Sequence, residues 1–188
     1  MSTVKKLRYL GIDPGTNVLG YAIIEVVKKQ VQIIDVGVIN MKKLDSHTIK
    51  LKHIFLRIQG LIKQYNPYEM AIEAPFYGKN VQSMLKLGRA QGVAMAAAMT
   101  NQVEVTEYSP RQIKQAVTGN GNASKEQVAA MLETILNTKI DYLSNDASDA
   151  LAVALCHYYR AGNRITGTKR YKDWNSYLSD NPSKKAKF

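Results

Sequence analysis

The sequence contains almost no cysteine and no long apolar run, and both absences restrict the class of protein. Cys156 is the only cysteine among 188 residues, so no disulfide can form within the chain, which suits a reducing compartment. No apolar stretch approaches the roughly 20 residues that cross a bilayer, and Asp13 interrupts the apolar run that a secretory signal would need. We therefore expect a soluble protein of the cytoplasm with no membrane partner.

Acidic residues are also scarce relative to basic ones. The 26 Lys and Arg residues outnumber 15 Asp and Glu residues, which leaves a net charge of +11. Such an excess favours a polyanionic partner, most often nucleic acid and sometimes an anionic membrane surface, although a merely solvated basic surface has the same composition. Zinc-binding clusters of His and Cys and the G-x-S-x-G motif are missing too, which disfavours two common classes of enzyme.

Hydrophobic periodicity and turn signals divide the chain into strands and helices. Short turns join three strand-like segments at the start, which predicts an antiparallel meander. The predicted elements, in order, are strands at 7–13, 20–27 and 31–40, a helix at 47–64, a strand at 69–74, a helix at 81–100 and a strand at 102–108. Three helices follow: one capped by Ser109 with Pro110 at its first position, one capped by Ser124 with Gln127, and one that begins near Ser144. This order predicts an α/β fold with a mixed five-stranded sheet flanked by helices.

The periodicity fades after Gly162, so we place a single domain at residues 1–162. The remaining segment, 163–188, contains seven Lys and Arg residues and two Asp residues. We expect it to be a flexible basic tail that touches phosphates.

The helix predicted at 81–100 has small and Met-rich faces. Gly88 and Gly92, four residues apart, allow a neighbouring element to approach closely. Two interpretations stay open: the helix packs tightly on its own sheet, or it forms a subunit contact, where flexible Met and small residues also occur.

Carboxylates stand at three places where a core pattern would not need them. Asp13 ends the first strand, Glu73 ends the strand MAIE, and Asp146 and Asp149 open the last helix on one face. Each has an ordinary explanation, since an Asp can cap a turn, a Glu can lie at a sheet edge, and an Asp in a first helical turn favours the helix dipole. Together they indicate a divalent-metal site, because hard carboxylate oxygens bind Mg²⁺ or Mn²⁺ and two such ions can drive phosphodiester cleavage.

The stretch GIDPGT also resembles the phosphate-binding hairpin of actin-type and sugar-kinase ATPases. The motif is short and weak by itself. Those proteins need a second nucleotide-binding half and a much longer chain, so this interpretation is disfavoured.

Four motifs in order make the sequence resemble the RuvC family of Holliday-junction resolvases, within the ribonuclease H-like superfamily. They are LGIDPGTNVLGYAI, AIEAPFYGKNVQSMLKLGRAQGV, YSPRQIKQAVTGNGNASKEQVAAML and NDASDALAVALCHY, and they cover about residues 7–160. The resemblance implies a ribonuclease H-like fold and a crossover junction endodeoxyribonuclease, which resolves four-way junction DNA by paired symmetric nicks in recombination and repair. It also implies a homodimer and a branch-migration motor complex as a partner.

The resemblance further implies roles for individual residues. The positions that match its catalytic, metal-binding set are Asp13, Glu73, Asp146 and Asp149, expected to bind two Mg²⁺ ions per active site, with Mn²⁺ as a substitute. The positions expected to bind DNA are Lys114, Lys125, Phe76 and Arg89. A lysine can hold a phosphate and an exposed aromatic can stack on an unpaired base. Solvated lysines on helix surfaces, and a Phe packed under its own loop, are the ordinary alternatives.

Two other functions stay open. A ribonuclease H-like nuclease acting on RNA shares the fold, but the long 76–92 segment and the stretch with Lys114 and Lys125 argue against it. A non-catalytic junction-binding protein has no need of four acids near a phosphate path, since they repel DNA unless a cation neutralises them.

Overall fold

The computed structural model describes residues 6–75, 80–141 and 143–165. Its first three strands form the predicted antiparallel meander: β1 at Leu7–Asp13, β2 at Val18–Val27 and β3 at Gln30–Asn40. β2 begins before the predicted residue 20, because Val18 and Leu19 pair with residues of β3 across the hairpin. That pairing is a contact between segments, which the pattern of one segment does not contain.

Two further strands extend the sheet on the other side of β1. β4 at Glu69–Glu73 and β5 at Glu104–Tyr108 run parallel to β1, and the strand order is β3-β2-β1-β4-β5. The crossovers that parallel strands require are α1 at His47–Tyr65 and α2 at Val81–Met99. The predicted mixed five-stranded sheet flanked by helices is confirmed. Its parallel strands bring their carboxyl ends to one edge.

Three helices follow β5: α3 at Pro110–Thr118, α4 at Lys125–Leu136 and α5 at Asn145–Ile165. Both predicted capping signals are confirmed, because Ser109 and Ser124 each form a reciprocal capping box with the Gln three residues later. α5 continues beyond residue 162, and the remainder of the tail predicted at 163–188 lies outside the described residues. Within the described ranges, none of the helices is long and apolar enough to cross a membrane.

Helices cover both faces of the sheet. Alternate residues of a strand point to opposite faces: Tyr9 packs in the cluster that includes α3, α4 and α5, whereas Leu10 and Ile12 pack in the cluster that includes α1 and α2. The result is a three-layer arrangement with a separate core on each side of the sheet.

The small residues of α2 lie on two different faces of the helix, one buried against the protein and one open. Its buried face consists mainly of alanines, among them Ala90, Ala94 and Ala97. Gly88 and Gly92 lie elsewhere, since a Cβ atom at either position would meet no atom within 4 Å. Packing on the protein's own sheet therefore accounts for the alanines and not for the two glycines.

α5 crosses β1 at very close range through Gly11. A Cβ atom at Gly11 would overlap the carbonyl oxygen of Ala150 and lie 2.6 Å from the backbone nitrogen of Ala154. The position therefore requires glycine for packing rather than for backbone conformation.

We expect Gly11→Ala to lower the free energy of unfolding by about 1–3 kcal/mol, because one added methyl group forces the backbone of α5 away from β1. Urea-induced unfolding measures this change. Gly60→Ala in α1 is the matched control, since a Cβ atom there meets nothing within 4 Å and alanine favours a helix over glycine. Unchanged stability of the Gly11→Ala protein would contradict the close packing described here.

Candidate active site

The first turn of α5 lies against the strand end that carries Asp13. Asp13 is the last residue of β1, and its partner across the hairpin is Gly20 of β2. A Cβ atom at Gly20 would overlap the backbone carbonyl of Asp146. Glycine at this position therefore lets α5 bring Asp146 to the same edge of the sheet as Asp13.

Glu73 ends β4, the strand beside β1, and its backbone is held from two sides. The amide of Ala74 donates a hydrogen bond to the carbonyl oxygen of Tyr108 at 2.8 Å. From α2, the Nε2 atom of Gln91 donates to Oε2 of Glu107 at 2.7 Å and to the carbonyl oxygen of Glu73 at 3.4 Å. The ends of β4 and β5 are thereby fastened to α2.

Gln91 is absent from the predicted site residues, although it contacts the strand end that carries Glu73. It is only 7 % exposed, on a helix face otherwise occupied by alanines. A buried amide needs hydrogen-bond partners, so a polar residue on that face is the signal that could have identified it.

Asp149 lies one turn after Asp146 in α5 and forms an ion pair. The Nζ atom of Lys125, the first residue of α4, lies 2.7 Å from Oδ2 of Asp149. This pair joins a carboxylate of the predicted catalytic set to a lysine predicted to bind DNA.

The other three predicted carboxylates all lie near enough to Asp13 for their charges to act on it, which places the four in one neighbourhood. Burial, together with the negative charges of Glu73, Asp149 and Asp146, raises the pKa of Asp13 to about 8, and the ammonium of Lys125 opposes the rise. Burial and, to a lesser extent, the charge of Asp149 raise the pKa of Glu73 to about 7, against the opposing effect of two lysines, Lys125 and Lys114. We call Asp13, Glu73, Asp146 and Asp149 the acidic edge.

The acidic edge fits a divalent cation by its chemistry and its charge. Carboxylate oxygens are the ligands that Mg²⁺ and Mn²⁺ prefer, and a cation would offset the burial of the ionised groups and the repulsion between them, which together raise the two pKa values. Within residues 6–75, 80–141 and 143–165, no three Asp, Glu, His or Cys side chains are placed to hold one ion as they stand. Coordination by three or more of these groups therefore requires side-chain rotation.

The remaining predicted residues fall in three different places. Lys114 of α3 is half-buried and lowers the pKa of Glu73, so it lies beside the acidic edge. Arg89 is exposed on α2 and acts on His47 at the start of α1, whose pKa is lowered by burial and by nearby cations including Arg89. Phe76 lies outside the described residues.

Comparison with known proteins gives consistent matches over most of the chain. Residues 9–157 match the model of the family described as Crossover junction endodeoxyribonuclease RuvC. The protein of that name from Cytophaga hutchinsonii is 56% identical over 93% of this chain and 86% of its own length. That from Porphyromonas gingivalis is 51% identical over 93% of this chain and 95% of its own length.

Solved structures also match most of the chain. The structure of Thermus thermophilus RuvC in complex with Holliday junction substrate is 30% identical in sequence, with a TM-score of 0.77, over 82% of this chain and 94% of that one. The yeast mitochondrial Holliday junction resolvase Ydc2 shares the fold at 14% identity, with a TM-score of 0.64, over 88% of this chain and 84% of that one.

We expect Asp13→Asn to stabilise the protein in EDTA, and to do so more at high pH. A carboxyl group whose pKa is raised by folding from about 3.9 to about 8 costs little stability below pH 4, and the cost grows as the pH rises towards 8. The gain in free energy of unfolding should therefore be larger at pH 8 than at pH 5, by on the order of 3–4 kcal/mol.

Thermal and urea unfolding at the two pH values measure this gain. Asp141→Asn, at an exposed acid outside the acidic edge, is the control and should show no comparable pH-dependent gain. A loss of stability in the Asp13→Asn protein, or an equal gain at both pH values, would contradict the electrostatic account.

Proposed function

Because the chain belongs to the RuvC family of crossover junction endodeoxyribonucleases, we propose that the acidic edge is the catalytic, metal-binding centre with which it cuts four-way DNA junctions. The family membership confirms the resemblance to Holliday-junction resolvases and the ribonuclease H-like fold. It also confirms the expected enzyme class, a DNA-binding endonuclease of recombination and repair, and is consistent with divalent-metal dependence. Neither a nuclease acting on RNA nor a non-catalytic junction-binding protein fits this membership.

The observation that carries the assignment is that Glu73, Asp146 and Asp149 all lie close enough to Asp13, at the end of β1, for their charges to act on it, in a chain of net charge +11. The acidic edge would hold two Mg²⁺ ions, with Mn²⁺ as a substitute. When bound, such ions supply an activated water and offset charge on the leaving oxygen of a phosphodiester. The expected products carry 5′-phosphate and 3′-hydroxyl ends.

The other proposed residues bind and orient the DNA. Lys114 and Lys125 flank the acidic edge, where an ammonium can hold the backbone phosphate beside the one that is cut. Phe76 follows Glu73 by only three residues in the sequence, and we assign it to stacking on an unpaired base at the crossover. Arg89, exposed on α2 with other cations nearby, is assigned to the phosphate backbone farther from the cut.

We propose that the protein acts as a homodimer in which α2 forms the contact between subunits. A two-fold symmetric junction needs two symmetric nicks, and a symmetric dimer supplies them. α2 exposes Val81, Leu85 and Met99, each more than half accessible to solvent, and Gly88 and Gly92 leave open space for a partner helix. A cytoplasmic location and a branch-migration motor complex as partner are proposed from the family resemblance alone.

Asp13→Asn and Asp146→Asn should each abolish cutting of a synthetic four-way junction in Mg²⁺, with a loss on the order of 1000-fold in rate, because each removes a charged ligand from the cation site. Single-turnover cleavage on denaturing gels measures the rate. Gel shift in EDTA should show that both variants still bind the junction.

Duplex DNA and an RNA–DNA hybrid of the same sequence are the substrate controls, and neither should be cut at a comparable rate. Normal cutting by either variant with junction binding intact would overturn the assignment of the acidic edge. Preferential cutting of the hybrid would instead favour the nuclease acting on RNA.

Leu85→Asp should weaken the homodimer on the order of 100-fold, because it places a charge at the centre of an apolar contact. Sedimentation equilibrium of both proteins measures the dissociation constant. Ile34→Asp is the matched control, since Ile34 is 38% exposed on β3, at the sheet edge farthest from β5 and α2. An undisturbed dimer in the Leu85→Asp protein would exclude α2 as the contact.

A further inference from the structure

Lys125 is placed where the helix it begins does not favour it. It is the first residue of α4, and a cation at a helix N-terminus is unfavourable because the helix dipole is positive there. The capping box of Ser124 fixes the start of the helix regardless of the residue that follows. The position of Lys125 is therefore explained by what its side chain contacts and not by helix formation.

Its contact is with the acidic edge. The ammonium lies 2.7 Å from Oδ2 of Asp149, and its charge also acts on Asp13 and Glu73. One ammonium thus offsets part of the charge of three neighbouring carboxylates, those of Asp149, Asp13 and Glu73. A divalent cation bound by the same carboxylates would compete with it for the oxygen of Asp149.

The ion pair between Lys125 and Asp149 is also easily broken. The side chain of Lys125 is 66% exposed and that of Asp149 is 28% exposed, and ion pairs in such settings contribute little net stability. A cavity of about 150 Å³ adjoins the pair and is lined by Lys125, Asn145, Ser148 and Asp149, among others. The side chain of Lys125 therefore has open space into which it can rotate without movement of the backbone.

We propose that Lys125 is an internal counter-ion that a divalent cation displaces from Asp149, and that the released ammonium then binds a phosphate of the DNA. The inference rests on the proposed function of the acidic edge and adds a coupling to it. Metal binding sets the lysine free for DNA, and by reciprocity DNA that engages the lysine favours metal binding.

Calorimetric titration of the DNA-free protein with Mn²⁺ tests the first half of this exchange without any measurement of activity. Lys125→Met removes the competing charge and keeps most of the aliphatic stem, so it should tighten Mn²⁺ binding by about threefold to tenfold. Lys125→Arg keeps the charge and should bind Mn²⁺ within about twofold of the wild type.

Lys139→Met is the matched control. It removes the same charge from an exposed pair with Glu133, and it should leave Mn²⁺ binding unchanged. The displacement is also visible in the ¹⁵N ammonium resonance of Lys125, which should be that of an ion-paired group in EDTA and should shift when Mg²⁺ is added. A further shift on addition of a four-way junction would report the second half of the exchange, and no further shift would contradict phosphate binding by Lys125.

The outcomes separate this inference from the proposed function. Equal Mn²⁺ binding by the wild type and the Asp13→Asn protein would overturn the metal site, and with it both proposals. Mn²⁺ binding that depends on Asp13 but is no tighter in the Lys125→Met protein than in the wild type would overturn the exchange alone. Equal tightening in the Lys139→Met protein would also overturn it, because the effect would then be one of net charge.

Discussion

The close contact of α5 with the hairpin of β1 and β2 is the constraint on which both the core and the acidic edge depend. Gly11 lets the backbone of α5 lie directly on β1, and Gly20 lets the carbonyl of Asp146 lie directly on β2. A side chain at either glycine would separate helix from sheet and would also separate Asp146 from Asp13. Stability and the spacing of the carboxylates therefore follow from the same contact.

The buried carboxylates of the acidic edge destabilise the fold when they are ionised, and other interactions have to offset this free energy. Burial and the repulsion of neighbouring carboxylates raise the pKa values of Asp13 and Glu73, so ionisation of these two groups opposes folding. Lys125 offsets part of this cost, and burial of apolar side chains in the two cores on either side of the sheet outweighs the rest. A chain that is basic as a whole and acidic at one edge can attract a polyanion over its surface and a divalent cation at a single place.

Features set by neighbouring residues were predictable, and features set by packing were not. The N-cap at Ser109 and the capping box of Ser124 depend on residues within one helical turn, and the structure has both. The early start of β2 depends on pairing with β3. The role of Gln91 depends on the approach of α2 to the ends of β4 and β5. Gly88 and Gly92 have open space around them because α2 buries its alanine face and leaves the face with the glycines uncovered.

The sequence by itself determined which elements form and which of them end or begin in a carboxylate, because strand periodicity and helix caps are properties of short segments. The carboxylates that end β1 and β4 were expected to share one divalent-metal site, and the parallel pairing of the two strands, which brings their ends to one edge, is seen only in the structure. Only the tertiary structure decided which cation faces them. Lys125 and Asp149 are 24 residues apart and lie on different helices, so their pairing depends on how α4 and α5 are placed by the whole fold, and no local pattern contains that information.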